Sequence, residues 1–220
     1  MLAQITAIWQ KYGYIYMNGV WGTLSIAACT VVAGTVLGTV LAVLRLGPFR
    51  LLQRAVDLYV WVLRGTPALL QIYFFYFFVP KALPFELSER TCILMALAVN
   101  AGAYVEEVVR AGIQAVDRGQ VEAARSLGMS GLHTMTKVVL PQAVKNILPA
   151  LGNEFIVMVK QASLASIFFI VEITSAFKTV QSATFITIPA LMISGGLYLL
   201  LTTVLTFAVQ RAEGRLRANE

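Results

Sequence analysis

The chain has 220 residues, of which 58% are hydrophobic and only 13% charged, and its mean hydropathy is +0.76. A water-soluble domain usually has about a quarter of its residues charged. The composition therefore excludes an ordinary soluble globule and favours a chain that is solvated largely by lipid. The cysteines lie in apolar stretches and His133 is the only histidine, so neither a disulfide framework nor a zinc site is indicated.

Five apolar stretches are long enough to cross a bilayer, which takes about 20 residues. They cover approximately residues 19–44, 58–79, 91–109, 147–171 and 185–209. The first contains Gly34 and Gly38, whose spacing permits close contact between helices. The second contains Arg64 and is interrupted at Gly65-Thr66-Pro67. We therefore expect an all-α integral membrane protein with about five transmembrane helices, forming a single domain over residues 1–220.

Basic residues are distributed unevenly among the connections between these stretches. An external N-terminus would leave most of them on the inner side, in the first connection, the third connection and the tail: Arg45, Arg50, Arg54, Arg110, Arg118, Arg125, Lys137, Lys145, Arg211, Arg215 and Arg217. The positive-inside rule thus predicts an external N-terminus and a cytoplasmic C-terminus. This topology accounts for the net charge of +6 without a nucleic-acid partner.

The third connection, over about residues 110–146, is polar and long enough to suggest a function. Its sequence predicts a short helix from Arg118 to Leu127, with Gly128 as the stop. Pro141 and Pro149 indicate further helix starts or kinks.

This connection resembles the signature loop of permeases from ATP-binding-cassette (ABC) importers. The matching elements are in register: Glu122-Ala123-Ala124, Gly128, Val138 and Leu140-Pro141. In that family the short helix docks onto a separate ATP-binding subunit, which implies a coupling role for Glu122, Ala123, Ala124, Ser126, Leu127 and Gly128. We place Glu122 in the first turn, where the helix dipole favours a carboxylate. The alternative is an ordinary surface helix in a loop.

Flanking segments extend the resemblance to the polar amino-acid branch of these permeases. They include Arg64-Gly65-Thr66-Pro67 with Gln71, and Lys160-Gln161-Ala162-Ser163-Leu164. The resemblance implies the type I ABC importer permease fold, location in the bacterial cytoplasmic (inner) membrane, and passage of a polar amino acid by alternating access. The implied partners are an ATP-binding subunit, an identical or related second permease chain, an extracytoplasmic solute-binding protein and membrane lipid.

The chain contains no Gly-x-x-x-x-Gly-Lys-Ser/Thr sequence, which would cradle the phosphates of ATP. We therefore expect no catalytic residue, metal site or cofactor in this chain, with ATP and Mg bound by the partner ATPase. The alternatives are an ion-coupled secondary transporter, for which no internal repeat is visible, and a membrane enzyme, for which no catalytic constellation is visible.

Polar residues within the apolar stretches are candidates for substrate contact, because such residues usually face a cavity or a partner. Glu154 and Gln161 are two helical turns apart and share one face; the other candidates are Ser163, Gln71 and Asn100. Alternatively, Glu154 pairs internally with Lys160 or Arg64, while Gln71 and Asn100 make helix–helix hydrogen bonds. Gln161 stands where the family often has aspartate, which leaves neutral, acidic or other polar substrates open.

Two further groups of charges have expected roles. Glu106, Glu107 and Arg110 lie at the inner end of the third stretch, where we expect a charge network or an inner gate. Glu172 follows the fourth stretch, where we expect a solvated helix end.

Overall fold

The computed structural model describes residues 1–84 and 86–217, and over these ranges it contains helices and no β-strand. The α-helices are α1 (Leu2–Leu46), α2 (Arg50–Gly65), α3 (Ala68–Phe77), α4 (Val79–Ala82), α5 (Glu89–Gln114), α6 (Arg118–Ser126), α7 (Gly131–Thr134), α8 (Leu140–Gln161), α9 (Ile173–Thr184) and α10 (Thr187–Arg217). A π-helical turn (Met135–Val139) precedes α8, and a 3₁₀ helix (Ala162–Phe168) follows it.

Helices α1, α5 and α10 are each long and apolar enough to cross a membrane. Two bent pairs also qualify when each pair is taken as one span, which gives up to five spans within the described residues. The all-α fold with three to five candidate spans agrees with the sequence prediction. The helices extend beyond several of the predicted stretches, because the stretches were delimited by hydropathy whereas helix formation continues through polar turns.

Helix α1 begins at Leu2 rather than near residue 19 and is about 67 Å long at 1.5 Å per residue. Its glycines bring it against α5. A Cβ atom on Gly34 would lie 2.7 Å from the Cβ of Ala101, and one on Gly38 would lie 2.7 Å from the carbonyl oxygen of Gly102. Only glycine allows this separation of the two helices, as the spacing of Gly34 and Gly38 predicted.

The second predicted span is broken where the sequence indicated. Helix α2 ends at Gly65, α3 begins at Ala68, and the two directions differ by 106°. Pro67 precedes α3 and donates no backbone hydrogen bond. Instead, the Gln71 side-chain amide donates to the carbonyl oxygens of Leu63, at 2.8 Å, and Thr66, at 3.1 Å.

The third connection is shorter than the predicted 110–146, because helices enter it from both sides. Helix α5 continues to Gln114, and an unbroken helical rod runs from Gly131 to Phe168. Pro141 lies in the first turn of α8 and Pro149 lies within that helix. The α6 segment is thus held between two long helices rather than within a flexible loop.

Glu172 is fully buried, so the expectation of a solvated helix end at this residue was wrong. Its carboxylate caps α9 by accepting from the backbone N–H groups of Thr174 and Ser175, and it also accepts from the Tyr198 hydroxyl at 2.7 Å. The main chain around it lies against Gly22, where an added Cβ would be 2.0 Å from the carbonyl oxygen of Val171. The elbow between the 3₁₀ helix and α9 is therefore locked to both α1 and α10.

Candidate coupling segment and substrate site

Helix α6 is closed at both ends by local hydrogen bonds. The Asp117 side chain accepts from the backbone N–H of Gln120 at 3.3 Å and caps the first turn. Gly128 has φ of +82°, the left-handed conformation that favours glycine. The next residue, Met129, donates from its backbone to the carbonyl oxygen of Ala124 at 3.1 Å. Gly128 thus ends the helix as the sequence predicted.

The coupling segment, residues 118–132, presents large apolar side chains to its surroundings. Leu127 is 85% exposed and Leu132 is 76% exposed. Among the residues predicted to couple to an ATPase, Glu122, Ala123, Ser126, Leu127 and Gly128 are all exposed. Two leucines this exposed in a polar segment are typical of a surface that a partner covers.

Two details of the coupling segment differ from the sequence interpretation. Glu122 is the fifth residue of a helix that begins at Arg118, and the first turn contains no acidic residue, so its placement there was wrong. Ala124 is only 6% exposed. Its small side chain therefore lies against the chain's own body, whereas Ala123 remains open to a partner.

A network of charged side chains joins α1, α2 and α5 near the end of α5 that leads to α6. Arg45 contacts Asp57 at 2.6 Å and the fully buried Glu106 at 2.9 Å. Arg110 lies 3.8 Å from Glu106 and 3.6 Å from Glu107, which also pairs with Arg64. The predicted network of Glu106, Glu107 and Arg110 is confirmed, and the structure adds the other members.

Glu154 lies on the interior face of α8 and is 9% exposed. The buried positions of this helix include Ala143, Ile147, Glu154 and Met158, which share one face. Within the described part of the chain, no hydrogen bond or ion pair reaches the Glu154 carboxylate, and its Oε1 atom is fully covered. The proposed internal pairing with Lys160 or Arg64 is not found, since Arg64 pairs with Glu107 instead.

Gln71 and Asn100 form the helix–helix contact that the sequence analysis allowed as an alternative. The Asn100 side-chain amide donates to Gln71 Oε1 at 2.9 Å. Asn100 is 2% exposed, and its Oδ1 atom has no partner among the residues described. Its neighbours Leu97 and Ala101 belong to the same apolar clusters as Ala162 and Met158 respectively, so this part of α5 lies near the junction of α8 and the 3₁₀ helix.

Gln161 and Ser163 lie together where α8 passes into the 3₁₀ helix. With Val157, Lys160 and Leu164 they line an open surface groove of about 390 Å³. The Ser163 hydroxyl donates to the carbonyl oxygen of Lys160 at 2.7 Å. Gln161 Oε1 is buried and accepts no hydrogen bond from the described residues. Glu154 lies about 10 Å away along the helix axis.

The residues that sequence reasoning missed are bonded over long distances in the chain. Arg45 was assigned only to topology, yet it reaches Glu106 across a sequence separation of 61 residues. No local pattern signals such a pair. Over residues 1–84 and 86–217, no group of three or more His, Cys, Asp or Glu residues could hold a metal ion.

Known proteins share this fold and sequence pattern. The chain is 35% identical to the arginine transport system permease protein ArtQ of Bacillus subtilis, with 93% of each chain covered. It is 36% identical to the nopaline transport system permease protein NocM of Agrobacterium fabrum, covering 87% of this chain and 83% of the relative. A crystal structure of an amino acid ABC transporter with histidines superposes with a TM-score of 0.89 at 36% identity, covering 93% of this chain and 95% of that one.

A second solved structure, the MetNI methionine ABC transporter in an inward-facing conformation, shares the fold with a TM-score of 0.77 at 20% identity. It covers 92% of this chain and 96% of its own. The family model for binding-protein-dependent transport system inner membrane components matches residues 34–217. That range contains the coupling segment and every candidate substrate residue. The chain belongs to the family of binding-protein-dependent transport system inner membrane components, and is a membrane-spanning permease subunit of the ABC importer type.

Proposed function

We propose that this permease carries a polar amino acid, entering with its ammonium or another cationic group toward the carboxylate of Glu154. One observation carries the proposal. Three of the five candidate residues, Asn100, Glu154 and Gln161, each have a buried side-chain oxygen with no donor in the described residues. Buried polar atoms are nearly always hydrogen-bonded. A ligand rich in N–H donors supplies what these three oxygens lack.

The chemistry of the relatives agrees with that donor-rich ligand. Relatives of the chain are named as permeases for arginine, nopaline, octopine and glutamine. Each is a polar compound derived from an amino acid. Gln161, which lines the groove, is neutral, so Glu154 is the one carboxylate among the candidate substrate residues. This favours a ligand with one cationic centre near Glu154 and polar groups elsewhere.

Because Glu154 is buried, a substrate can reach it only after a conformational change. With 9% of the residue exposed, a substrate reaches the carboxylate only after α8 separates from the helices packed on it. The rod from Gly131 to Phe168 joins the coupling segment to Glu154 without a break. About 35 Å of helix lie between Gly131 and Glu154, so a displacement of the segment is transmitted directly to the site.

The expected partners follow from this mechanism. A separate ATPase binds ATP and Mg and contacts Leu127 and the exposed face of α6. Closure of the ATPase then moves the helical rod that follows the coupling segment. A second permease, identical or related, completes the path, and a solute-binding protein delivers the amino acid on the opposite side of the membrane. We place the N-terminus on that outer side and the coupling segment in the cytoplasm. The partner assignments rest on family membership and on the exposed apolar residues of the coupling segment, whereas the orientation rests on the distribution of basic residues.

The test is uptake of labelled amino acids by proteoliposomes that contain the whole complex, comparing wild type with Glu154→Gln. This change keeps the side-chain shape and removes the charge. We expect ATP-driven uptake of one substrate class to fall by about tenfold or more, because a buried charged hydrogen bond contributes roughly 1.5–3 kcal/mol.

The matched control is Glu86→Gln, which removes an exposed carboxylate between α4 and α5. It should leave uptake close to the wild-type rate. Equal uptake by wild type and Glu154→Gln would contradict the Glu154 site while leaving the importer assignment intact. Uptake that required an ion gradient instead of ATP would contradict both.

A further inference from the structure

Helix α2 has three different sides along its whole length. Its buried side, with Val56 and Val60, packs against Leu41, Leu44 and Ala103 of helices α1 and α5. The exposed half divides into two strips. One strip is apolar and follows helical spacing through Leu51, Ala55, Leu58 and Val62; the other is polar or interfacial and contains Arg50, Arg54, Asp57, Trp61 and Arg64.

The length of the charged strip excludes a helix that crosses hydrocarbon while facing lipid. From Arg50 to Arg64 the strip extends about 21 Å, whereas the hydrocarbon core of a bilayer is about 30 Å thick. A lipid-facing helix in that core would place guanidinium groups in the apolar phase, which is costly. A helix with one side on protein, one apolar and one charged fits the boundary between lipid and water.

The bend at Pro67 is compatible with this placement of α2. Helix α3 diverges from α2 by 106°, so a steeply inclined α3 leaves α2 close to the membrane plane. Trp61 is 73% exposed beside the strip of arginines, and tryptophan is the residue most typical of the headgroup region. Leu51, at 80%, and Leu58, at 59%, are exposed on the adjacent apolar strip.

The charges around α2 leave two arginines free. Asp57 is paired with Arg45, and Glu107 is paired with Arg64. In the described residues neither Arg50 nor Arg54 has a carboxylate within ion-pair distance. Both side chains are exposed.

We propose that α2 is an interfacial helix that binds anionic lipid headgroups through Arg50 and Arg54, with its apolar strip in the acyl chains of the same leaflet. The leaflet is the one on the side of the coupling segment, because the charge network at α2 joins the end of α5 that leads to α6. The inference requires only that the chain lies in a membrane, and it holds whatever the substrate is. A bound lipid would hold the α2–α3 elbow at a fixed depth.

The test uses Trp61 as a local probe in the full chain, reconstituted in nanodiscs. Trp9→Phe and Trp21→Phe remove the other two of the three tryptophans. Quenching of Trp61 fluorescence is compared between brominated phosphatidylglycerol and brominated phosphatidylcholine at equal mole fraction. Because each basic residue near an anionic surface contributes about 1 kcal/mol, or about fivefold, we expect phosphatidylglycerol to be enriched at Trp61 by up to about fivefold per arginine.

In the double variant Arg50→Gln, Arg54→Gln this preference should disappear, with quenching by the two lipids becoming equal. The matched control Arg118→Gln, Lys137→Gln removes two exposed positive charges, one in α6 and one in the π-helical turn. This control should keep the preference for phosphatidylglycerol. Bromine near the headgroup end of the acyl chain should quench more strongly than bromine near the chain terminus.

Two results would overturn the proposal. Equal quenching of Trp61 by both lipids in the protein that keeps Arg50 and Arg54 would rule out anionic headgroup binding. An absence of quenching by any brominated lipid would show that this face of α2 lies against a second copy of the chain or an aqueous path instead. Circular dichroism of each variant confirms that the helices are retained.

Discussion

A close approach of α1 to α5 depends on the absence of a side chain at Gly38. A Cβ atom there would lie 2.7 Å from both the carbonyl oxygen of Gly102 and the Cβ of Val105, and 2.8 Å from the backbone nitrogen of Glu106. Ordinary contacts of a Cβ begin at about 3.4 Å. The substitution Gly38→Ala therefore forces the two helices apart by roughly half an ångström or more, with no flexible side chain able to yield.

The expected cost is that of overpacking, about 1–3 kcal/mol. Since a chain of this size loses about 2–4 °C in Tm per kcal/mol, thermal unfolding in detergent should occur several degrees below that of wild type. The same shift moves Glu106 relative to Arg45, whose charged contact is 2.9 Å. The loss of stability should therefore lie at the upper end of that range.

A control on the same helix separates packing from helix propensity. At Gly13 an added Cβ would meet only the Trp9 side chain, at ordinary distances of 3.5–3.9 Å. Because alanine is favoured over glycine in a helix by roughly 0.5–1 kcal/mol, Gly13→Ala should raise Tm slightly. If Gly38→Ala were as stable as Gly13→Ala, the α1–α5 separation described here would be wrong.

Two further predictions concern other parts of the fold. Tyr198→Phe removes the hydroxyl that donates to the buried Glu172 at 2.7 Å, and it should lower the free energy of unfolding by about 1.5–3 kcal/mol. The control Tyr14→Phe, at an exposed position, should change Tm little. Equal Tm values for the two variants would contradict the buried cap. Gly128→Ala places a Cβ in a left-handed conformation, which costs about 1–2 kcal/mol, and should lower ATP-driven uptake several-fold without loss of helix content. Gly131→Ala, where the nearest atom is 3.6 Å away, should retain uptake, and equal rates in the two variants would show that the Gly128 turn does not matter for coupling.

Local patterns in the sequence predicted the features that depend on neighbouring residues. Apolar runs predicted the membrane helices, the spacing of Gly34 and Gly38 predicted a close helix contact, and Gly65-Thr66-Pro67 predicted the break in the second span. Gly128 predicted the end of α6 because few other residues tolerate its φ of +82°. Each of these signals operates within a few residues of the chain.

Features that depend on distant residues were not predictable in the same way. From the local sequence, Glu172 is expected to be a solvated charge at a helix end. Its buried carboxylate instead accepts a hydrogen bond from Tyr198, which lies 26 residues further along the chain. The sequence analysis likewise treated residues 58–65 of α2 only as part of an apolar stretch. The separation of its charged and apolar strips becomes meaningful only when the packed side of the helix is known.

The candidate substrate residues stay predictions. The structure adds which of their side-chain atoms lack a hydrogen-bond partner. Glu154, Gln161 and Asn100 each retain a buried acceptor without a donor in the described chain. Gln71 is held by bonds to the broken backbone at Thr66 and orients Asn100. The sequence identified polar residues within the apolar stretches, but only the packing distinguishes those whose side-chain atoms are already hydrogen-bonded from those that keep a buried acceptor without a donor.

The central claim is that ATP hydrolysis in a partner drives an amino acid through this permease. The most direct test is accumulation of labelled amino acid by proteoliposomes that contain the whole complex, measured with ATP or with an imposed proton or sodium gradient. We expect accumulation that requires ATP and the solute-binding protein and that persists when ionophores collapse both gradients. Accumulation that is driven by a gradient in the absence of ATP would contradict it.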